Sequence, residues 1–245
     1  MLLQRALVVF ALAAIGAGVS HGRVGAQTPA LPTLEQVLDK YVAAAGGRAA
    51  IEKVTSVTAK GTIEVAAFGL TGTIQLWQKA PDKSASIVDL AGVGQTREAF
   101  DGTTAWEESP QAGMRIKSGV ELAEARRNAT FPRELKMASL YAKMTVKGRE
   151  AIGGRDAIVV EAVPAEGQPT RMFFDAESGL LVRQILTRES AQGPLEVDVT
   201  FSDFRAIDGV KRPFSIRQVT ANFTATLQLT EVKHNAAIDD SVFGR

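Results

Sequence analysis

Short segments in which apolar and polar residues alternate dominate the chain from residue 56 onward. Leu195, Val197, Val199 and Phe201 put apolar side chains on one face, while the residues between them are polar or charged. A repeat of two residues is typical of a strand with one face buried and the other in water. Because Gly-Gly, Asp-Gly and Ser-Gly pairs separate such segments, the sequence predicts an antiparallel sheet.

The alternation predicts roughly eleven strands. Two lie at about 56–65 and 72–77, and two flank a turn of type I′ at Asp101-Gly102. Small residues on the apolar side of the first of these, such as Ala59 and Gly61, indicate that something packs closely above it. Seven more strands are expected near 144–150, 156–163, 170–175, 180–188, 195–204, 212–219 and 223–233. The fold class is therefore mainly β (α+β), an incomplete antiparallel β-barrel.

Two segments carry the pattern of helices instead. Thr33 and Gln36 form a capping box before an amphipathic run from Leu34 to Ala45, and Gly46-Gly47 ends it. A second capping box at Ser118 and Glu121 opens a central helical stretch, which a further short helix continues from Pro132 toward Leu140. These helices are predicted to cover a mouth of the barrel as a lid. The lid residues are Leu34, Val37, Leu38, Tyr41 and Leu122.

The first 26 residues have the features of an export signal. Arg5 precedes an apolar run from Ala6 to Val19, and Val24-Gly25-Ala26 is a small-residue cleavage site before Gln27. The run is too short for a good membrane span. We therefore predict a signal peptide at 1–26, a flexible leader at 27–32, a single domain at 33–245, and a periplasmic location if the host is a Gram-negative bacterium.

Charge and cysteine content narrow the possible partners. The chain has 28 basic and 27 acidic residues, and because Arg5 and Arg23 lie in the predicted signal, the remainder has one more acidic than basic residue. This balance favours neither nucleic acid nor a strongly anionic membrane surface. The absence of cysteine excludes disulfides and thiolate metal sites. We expect a monomer with no cofactor, no metal and no nucleic acid.

The candidates for catalysis are few, so we predict that the protein is not an enzyme. His234 is the sole histidine after the predicted signal, and we interpret it as an exposed residue at a strand end. The pairs Glu107-Glu108 and Asp239-Asp240 could serve as acid and base or bind calcium, but neighbours on a strand point to opposite faces. Trp77 and Trp106 could stack on a sugar, although core or rim packing is the simpler role.

The apolar face of the sheet is the main candidate for a binding site. Its side chains form either an ordinary core or the wall of a ligand cavity, and a barrel of about eleven strands is wider than its own side chains fill. Acyl chains would suit such a space because each buried methylene contributes about 0.8 kcal/mol. The predicted cavity residues are Ile74, Leu76, Leu195, Val197, Val199, Phe201, Phe214, Ile216, Phe223, Leu227 and Leu229.

The order of several motifs resembles one known group of proteins. Gly72–Asp82 resembles a Gly-x-x-Leu-Trp strand that runs into a Pro turn, Phe100–Trp106 an Asp-Gly-x-x-Leu-Trp hairpin, Phe174–Leu181 an Asp-x-x-Thr-Gly-Leu turn, and Asn235–Phe243 an Asn-x-x-Ile-x-Asp-x-x-Phe ending. In this order they resemble the Lol-type periplasmic lipoprotein carriers and the wider outer-membrane lipoprotein-sorting family. The resemblance covers nearly all of residues 33–245.

The resemblance implies a barrel closed by helices, with an apolar cavity for lipoprotein acyl chains. It also implies an inner-membrane donor and an outer-membrane acceptor protein. The arginine that latches the lid in this family aligns with Ala80, so Lys79 beside it is a possible substitute as a point charge. Residues Leu34–Lys60 resemble modules attached to bacterial cytochrome subunits, and an accessory or sensor module on an envelope complex is therefore the alternative function.

Overall fold

The computed structural model describes residues 30–189 and 193–245. The predicted signal peptide and residues 27–29 of the predicted leader lie outside the described residues. Residues Leu31–Arg245 form one compact unit. The division of the chain into signal, leader and domain stays a prediction.

Four α-helices are present in the described ranges: α1 (Leu34–Ala44), α2 (Arg48–Ile51), α3 (Gly119–Ala129) and α4 (Arg133–Lys136). The capping box that opens α1 is confirmed, because Thr33 Oγ1 accepts from the backbone N–H of Gln36 and the Gln36 side chain accepts from the backbone N–H of Thr33. Short 3-10 turns occupy 66–68, 137–140 and 240–242.

Thirteen strands form one sheet over the same ranges, two more than the sequence predicted. The strands are β1 (Ser56–Val65), β2 (Leu70–Lys79), β3 (Lys83–Leu90), β4 (Gly94–Phe100), β5 (Ala105–Ser109), β6 (Gly113–Ile116), β7 (Lys143–Ile152), β8 (Arg155–Val163), β9 (Thr170–Asp175), β10 (Leu181–Arg188), β11 (Leu195–Ile207), β12 (Val210–Val219) and β13 (Thr224–His234). The two additional strands are β3 and β6. The inward positions of β3 include Ser84 and Ser86, which hide the apolar alternation, and β6 has only four residues.

The strand order is β6-β5-β4-β3-β2-β1-β13-β12-β11-β10-β9-β8-β7, and every neighbouring pair for which a register is defined is antiparallel. The first strand therefore pairs with the last, and β6 and β7 are the free edges. The connection between these two edges carries α3 and α4. This open antiparallel sheet with its few helices confirms the predicted incomplete barrel.

Alternation gives the sheet two distinct faces. We call inner the face that carries Ala59 and its cross-strand neighbour Leu76, and outer the face that carries Trp77 and its neighbour Ala85. Residues directly opposite on adjacent strands share a face, so the register extends both faces across the whole sheet. The helices pack on the inner face, and the C-terminal segment packs on the outer face.

The helices cover separate parts of the inner face. Val37 of α1 is buried against Ile158 and Met172, and the Tyr41 ring meets the Phe174 ring edge-on at 5.4 Å between centroids. At the other end of the sheet, Leu122 of α3 packs against a cluster formed by Phe100, Ala105 and Ala129. Between these two clusters, neither α1 nor the Leu122 side of α3 packs against the inner face.

On the outer face, β3 to β5 are covered by the C-terminal segment rather than by an α-helix. Phe243 is fully buried against Ala85, Ala99 and Trp106, and Trp106 Nε1 donates to its carbonyl oxygen at 3.1 Å. The motif at residues 235–243 thus fixes the C-terminal segment onto β3 to β5. This packing accounts for the buried Trp106, in agreement with the simpler of its two interpretations.

Three local expectations are wrong. Gly102 has φ 102° but Asp101 does not have positive φ, so the turn is not type I′; the Asp101 carboxylate instead accepts from the backbone N–H groups of Thr103 and Thr104 at 2.8 and 2.7 Å. Ser118 precedes α3 without a side-chain capping bond, and the Glu121 side chain accepts from Arg115 instead of reaching back to Ser118.

The third concerns Gly61, whose small size reflects the strand beside it rather than a group above the sheet. A Cβ at Gly61 would lie 2.2 Å from the Gln228 carbonyl oxygen and 2.8 Å from the Leu229 Cα of β13. The register between β1 and β13 also shifts between Lys60 and Gly61. A bulge of this kind brings the neighbouring backbone closer than any side chain tolerates.

Replacement of Gly61 should therefore destabilise the protein. We expect Gly61→Ala to lower the free energy of unfolding by at least about 1–3 kcal/mol, the usual cost of overpacking, because the backbone of β13 must move. Urea unfolding at neutral pH measures this. Gly244→Ala is the control, since its Cβ would lie 3.6 Å from the nearest atom. Equal losses in the two variants would contradict the interpretation.

Candidate functional site

A cavity of about 460 Å³ lies on the uncovered part of the inner face. Its volume falls in the range of roughly 300–1,000 Å³ that is usual for small-molecule sites. Strands from both halves of the sheet supply an apolar wall, and α3 supplies Ala125 and the aliphatic parts of its polar residues. The apolar residues of the strands that line it are Val57, Ala59, Leu76, Trp77, Ala85, Ala99, Phe100, Phe201, Pro213, Ile216, Leu229 and Val232.

Ion pairs hold α3 beside this cavity. Both carboxylate oxygens of Glu121 accept from Arg115 of β6, at 2.7 and 2.6 Å, and Arg115 Nε also donates to Glu107 at 2.6 Å. The hydrogen bonds from Arg115 lower the pKa of the Glu121 carboxyl. On the other side of the cavity, Glu124 of α3 lies 3.7 Å from Arg188 at the end of β10. The helix thus connects the β6 edge to the opposite half of the sheet.

A buried polar cluster lies at the end of the cavity near α4. Arg212 of β12 pairs with Glu134 of α4, and their side chains are only 15% and 9% exposed. Arg212 Nε also donates to His234 Nε2 at 3.4 Å, while Nη2 of the same guanidinium is buried without a hydrogen-bond partner. Because Arg212 lines the cavity, this cluster connects the core of the fold to the candidate site.

The interpretation of His234 as an exposed residue is wrong. Its side chain is fully buried, and Nδ1 lies 3.4 Å from the carboxylate of Asp208. Burial, followed by the positive charge of Arg212, lowers the pKa of the imidazole, while Asp208 acts in the opposite direction. The position at the end of β13 suggested exposure, but Asp208 and Arg212 lie against the side chain there.

The predicted cavity residues divide into three groups, and one of them lines the cavity. Leu76, Phe201, Ile216 and Leu229 line the cavity, while Ile74, Phe214 and Leu227 are buried in the adjoining cluster. The other four do not line it: Val197 and Val199 are buried on β11, Leu195 is half-buried, and Phe223 packs at the margin of the adjoining cluster. A role in binding ligand remains a prediction for each of them.

The predicted lid residues lie in two different places. Leu34, Val37, Leu38 and Tyr41 pack in the α1 cluster over β8 and β9 and do not line the cavity. Leu122 packs against β4 and β5 on the helix that does border it. The helix over the cavity is therefore α3, because α1 is committed to the other end of the sheet.

Lys79 holds the C-terminal segment rather than a helix. Its Nζ donates to the Ile238 carbonyl oxygen at 3.0 Å and to Asp240 Oδ1 at 2.7 Å, and Lys83 donates to the other Asp240 oxygen at 2.9 Å. These two lysines lower the pKa of Asp240 to about 2. The helical insert is attached to the turn after Lys79 in another way, since the backbone N–H of Phe131 donates to the Pro81 carbonyl oxygen at 2.9 Å.

The polar residues of the cavity were not among the predicted site residues. Gln78, Ser84 and Ser86 line it from inward positions of β2 and β3, and Arg212 lines it from β12. The sequence carried a signal for Gln78, Ser84 and Ser86. Each lies two residues from an inward apolar residue or two residues from one that does, as with Leu76 on β2 and Val88 on β3, and therefore points inward. Arg212 had no such signal, since its partner Glu134 is 78 residues away.

Neither a metal site nor a membrane-spanning helix is found among the described residues. It contains no group of three or more His, Cys, Asp or Glu side chains placed to hold a metal ion. Within the same ranges, no helix combines the length and the apolar character needed to cross a membrane.

Comparison with known proteins defines the fold. No family model matches the chain, and no curated protein matches it. A DUF1329 family protein from Desulfovibrio piger is similar in structure, with a TM-score of 0.58, 15% identity, and coverage of 87% of this chain and 98% of that one. The chain therefore shares its overall fold with that protein.

Two further structures specify the fold type. A LolA superfamily protein from Nitrosomonas europaea matches with a TM-score of 0.57 and 16% identity, covering 88% of this chain and 99% of that one. A putative outer membrane lipoprotein-sorting protein domain from Vibrio parahaemolyticus matches with a TM-score of 0.57 and 12% identity, covering 86% and 97%. The LolA-like fold that the motifs indicated is thus confirmed.

The buried His234 should make stability depend on pH. Because its pKa is lowered in the folded state, the unfolded chain binds a proton first as the pH falls through about 6.5. Stability should therefore be complete above that value and decrease as the pH falls toward 5.5. Urea unfolding between pH 7.5 and 5.5 measures this, and His234→Gln should flatten the dependence. The same slope in both proteins would contradict the assignment.

Removal of the Glu134 charge should lower the free energy of unfolding much more than removal of the charge of an exposed glutamate. Glu134→Gln leaves Arg212 buried without its counter-ion, and we expect the free energy of unfolding to fall by about 3–5 kcal/mol. Glu52→Gln removes the exposed pair with Arg48 and should cost less than about 0.5 kcal/mol. Chemical denaturation of both variants gives the comparison, and similar small losses would show that the Glu134 pair does not anchor α4.

Proposed function

We propose that this protein is an exported carrier or binder of lipid or lipoprotein acyl chains, and that it is not an enzyme. The observation that carries the proposal is the cavity of about 460 Å³ between α3 and the apolar inner face. Its wall of aliphatic and aromatic side chains suits hydrocarbon, since burial of each methylene contributes about 0.8 kcal/mol before ordering costs. A periplasmic location follows from the predicted signal peptide.

The similar structures support this proposal at the level of fold. One is described as a LolA superfamily protein and another as a putative outer membrane lipoprotein-sorting protein domain. A role in moving lipoproteins toward an outer membrane, with donor and acceptor proteins, is the finer form of the proposal. The departure at Ala80 and the attachment of Lys79 to the C-terminal segment mean that any lid must be held by other contacts, such as those of Glu121 and Glu124.

The cavity also favours a carrier over the alternative function. For an accessory or sensor module that packs against an envelope complex, we would expect side chains to fill the interior of the sheet. The space between α3 and residues such as Leu76 and Ile216 is instead large enough for a small ligand.

The binding of acyl ligands tests the proposal. A polarity-sensitive dye should bind the purified protein and be displaced by sixteen-carbon acyl ligands, and native mass spectrometry of protein isolated from its host should show lipid adducts. Ala59→Phe should abolish dye binding, because Ala59 lines the cavity and the ring would occupy it.

The matched control is Thr58→Phe, which places the same ring on the opposite face of β1. It should bind the dye like the unmodified protein, and circular dichroism should show that both variants fold. A protein without adducts, whose dye binding is insensitive to acyl ligands or to Ala59→Phe, would overturn the proposed function.

A further inference from the structure

A row of polar side chains crosses the wall of the cavity. Ser84 of β3 lies directly opposite Gln78 of β2, Gln78 opposite Val57 of β1, and Val57 opposite His234 of β13. Directly opposite residues share a face, so Ser84 and Gln78 both belong to the inner face. Arg212 of β12 extends the row, because its Nε donates to His234. Ser84, Gln78 and Arg212 all line the cavity.

This row has hydrogen-bonding groups that the protein leaves unused. Within the described ranges, the side chains of Ser84, Gln78 and their neighbour Ser86 make no hydrogen bond, and Arg212 Nη2 is buried without a partner. Of these groups the Arg212 nitrogen is enclosed by protein, whereas the polar atoms of Ser84, Gln78 and Ser86 are accessible from the cavity, and a ligand that buried them without pairing them would lose about 1–3 kcal/mol for each. A cavity meant for hydrocarbon alone would be better lined by apolar residues at these positions. The row therefore indicates a ligand that carries a polar group along with its chain.

The charges around the cavity decide what kind of polar group this is. Each cation of the wall already has a carboxylate near it: Lys117 lies 3.3 Å from Glu98, Arg188 lies 3.7 Å from Glu124, and Arg212 contacts Glu134. Two further wall residues, Glu121 and Glu189, are acidic. The cavity thus has no surplus positive charge for an anion, and burial of an unpaired carboxylate is costly.

A neutral carbonyl group satisfies both conditions. Its oxygen can accept two hydrogen bonds, and the Ser84 hydroxyl and the Gln78 amide are donors that face the cavity. It brings no net charge into a wall that is already balanced. Ester and amide linkages of acyl chains contain such a carbonyl, whereas a free fatty acid at neutral pH carries a carboxylate.

We propose that the cavity is specific for neutral acyl esters or amides and selects them over free fatty acids. The carbonyl oxygen is bound by Ser84 and Gln78, and the chain lies along the apolar wall near Leu76, Ile216 and Leu229. This inference rests on the proposed function and narrows its ligand class.

The test compares two ligands of equal chain length. Displacement of a polarity-sensitive dye from the purified protein gives the affinity for monopalmitoylglycerol and for palmitate at pH 8. We expect the ester to bind about tenfold more tightly, the effect of one or two net hydrogen bonds. The double variant Gln78→Leu/Ser84→Ala should lose this preference and still bind a sixteen-carbon chain. Arg212 is left intact, because its removal would strand Glu134 in a buried position.

Gln75→Leu is the matched control. Gln75 is on β2 but faces outward, so the variant should keep the preference for the ester. Equal affinity of the unmodified protein for ester and carboxylate, or an unchanged preference in the double variant, would overturn this inference and leave acyl binding intact. Failure of both ligands to displace the dye would overturn the proposed function together with it.

Discussion

The pairing of the first strand with the last is the constraint on which the rest of the structure depends. β1 and β13 join strands β1 to β6 to strands β7 to β13, so one continuous sheet forms from two sequential halves. The close approach of the two backbones at Gly61 leaves no room for a side chain there. The same pairing places Val57 beside His234, and thereby brings the polar row of β2 and β3 into line with the Arg212 cluster.

Different helices cover the two ends of the inner face of the sheet. α1 covers β8 and β9 with Val37 and Tyr41, and α3 covers β4 and β5 with Leu122. Between them the sheet is wider than two short helices can cover, and the cavity is the remaining space. On the outer face, Phe243 and the C-terminal segment cover Trp106, while the guanidinium groups of Arg171 and Arg183 stand over Phe173, each 5.1 Å from its ring centre. The described helices pack on the inner face instead.

Period-two alternation and turn residues were sufficient to predict most strands and the fold class, and a capping box with an amphipathic run was sufficient for α1, because these features depend on neighbours in sequence. Strand β3 was missed since its inward Ser84 and Ser86 serve the cavity rather than the core. The environment of His234 and the place of α1 depend on contacts between distant residues, such as Arg212 with Glu134, which no local pattern encodes. Four of the predicted cavity residues do line it, whereas its polar residues were not predicted because an apolar face is recognised from apolar residues alone.

The position of α3 in the chain has a mechanical consequence. The helix follows edge strand β6 and, after α4, leads to edge strand β7, so both of its covalent attachments are at the margins of the sheet. A displacement of α3 would break its ion pairs with Arg115 and Arg188 and its packing against the buried Phe100 cluster, but no hydrogen bonds between strands. The contacts that hold α3 over the cavity are thus separate from those that hold the sheet together, so access to the cavity and unfolding of the sheet depend on different interactions.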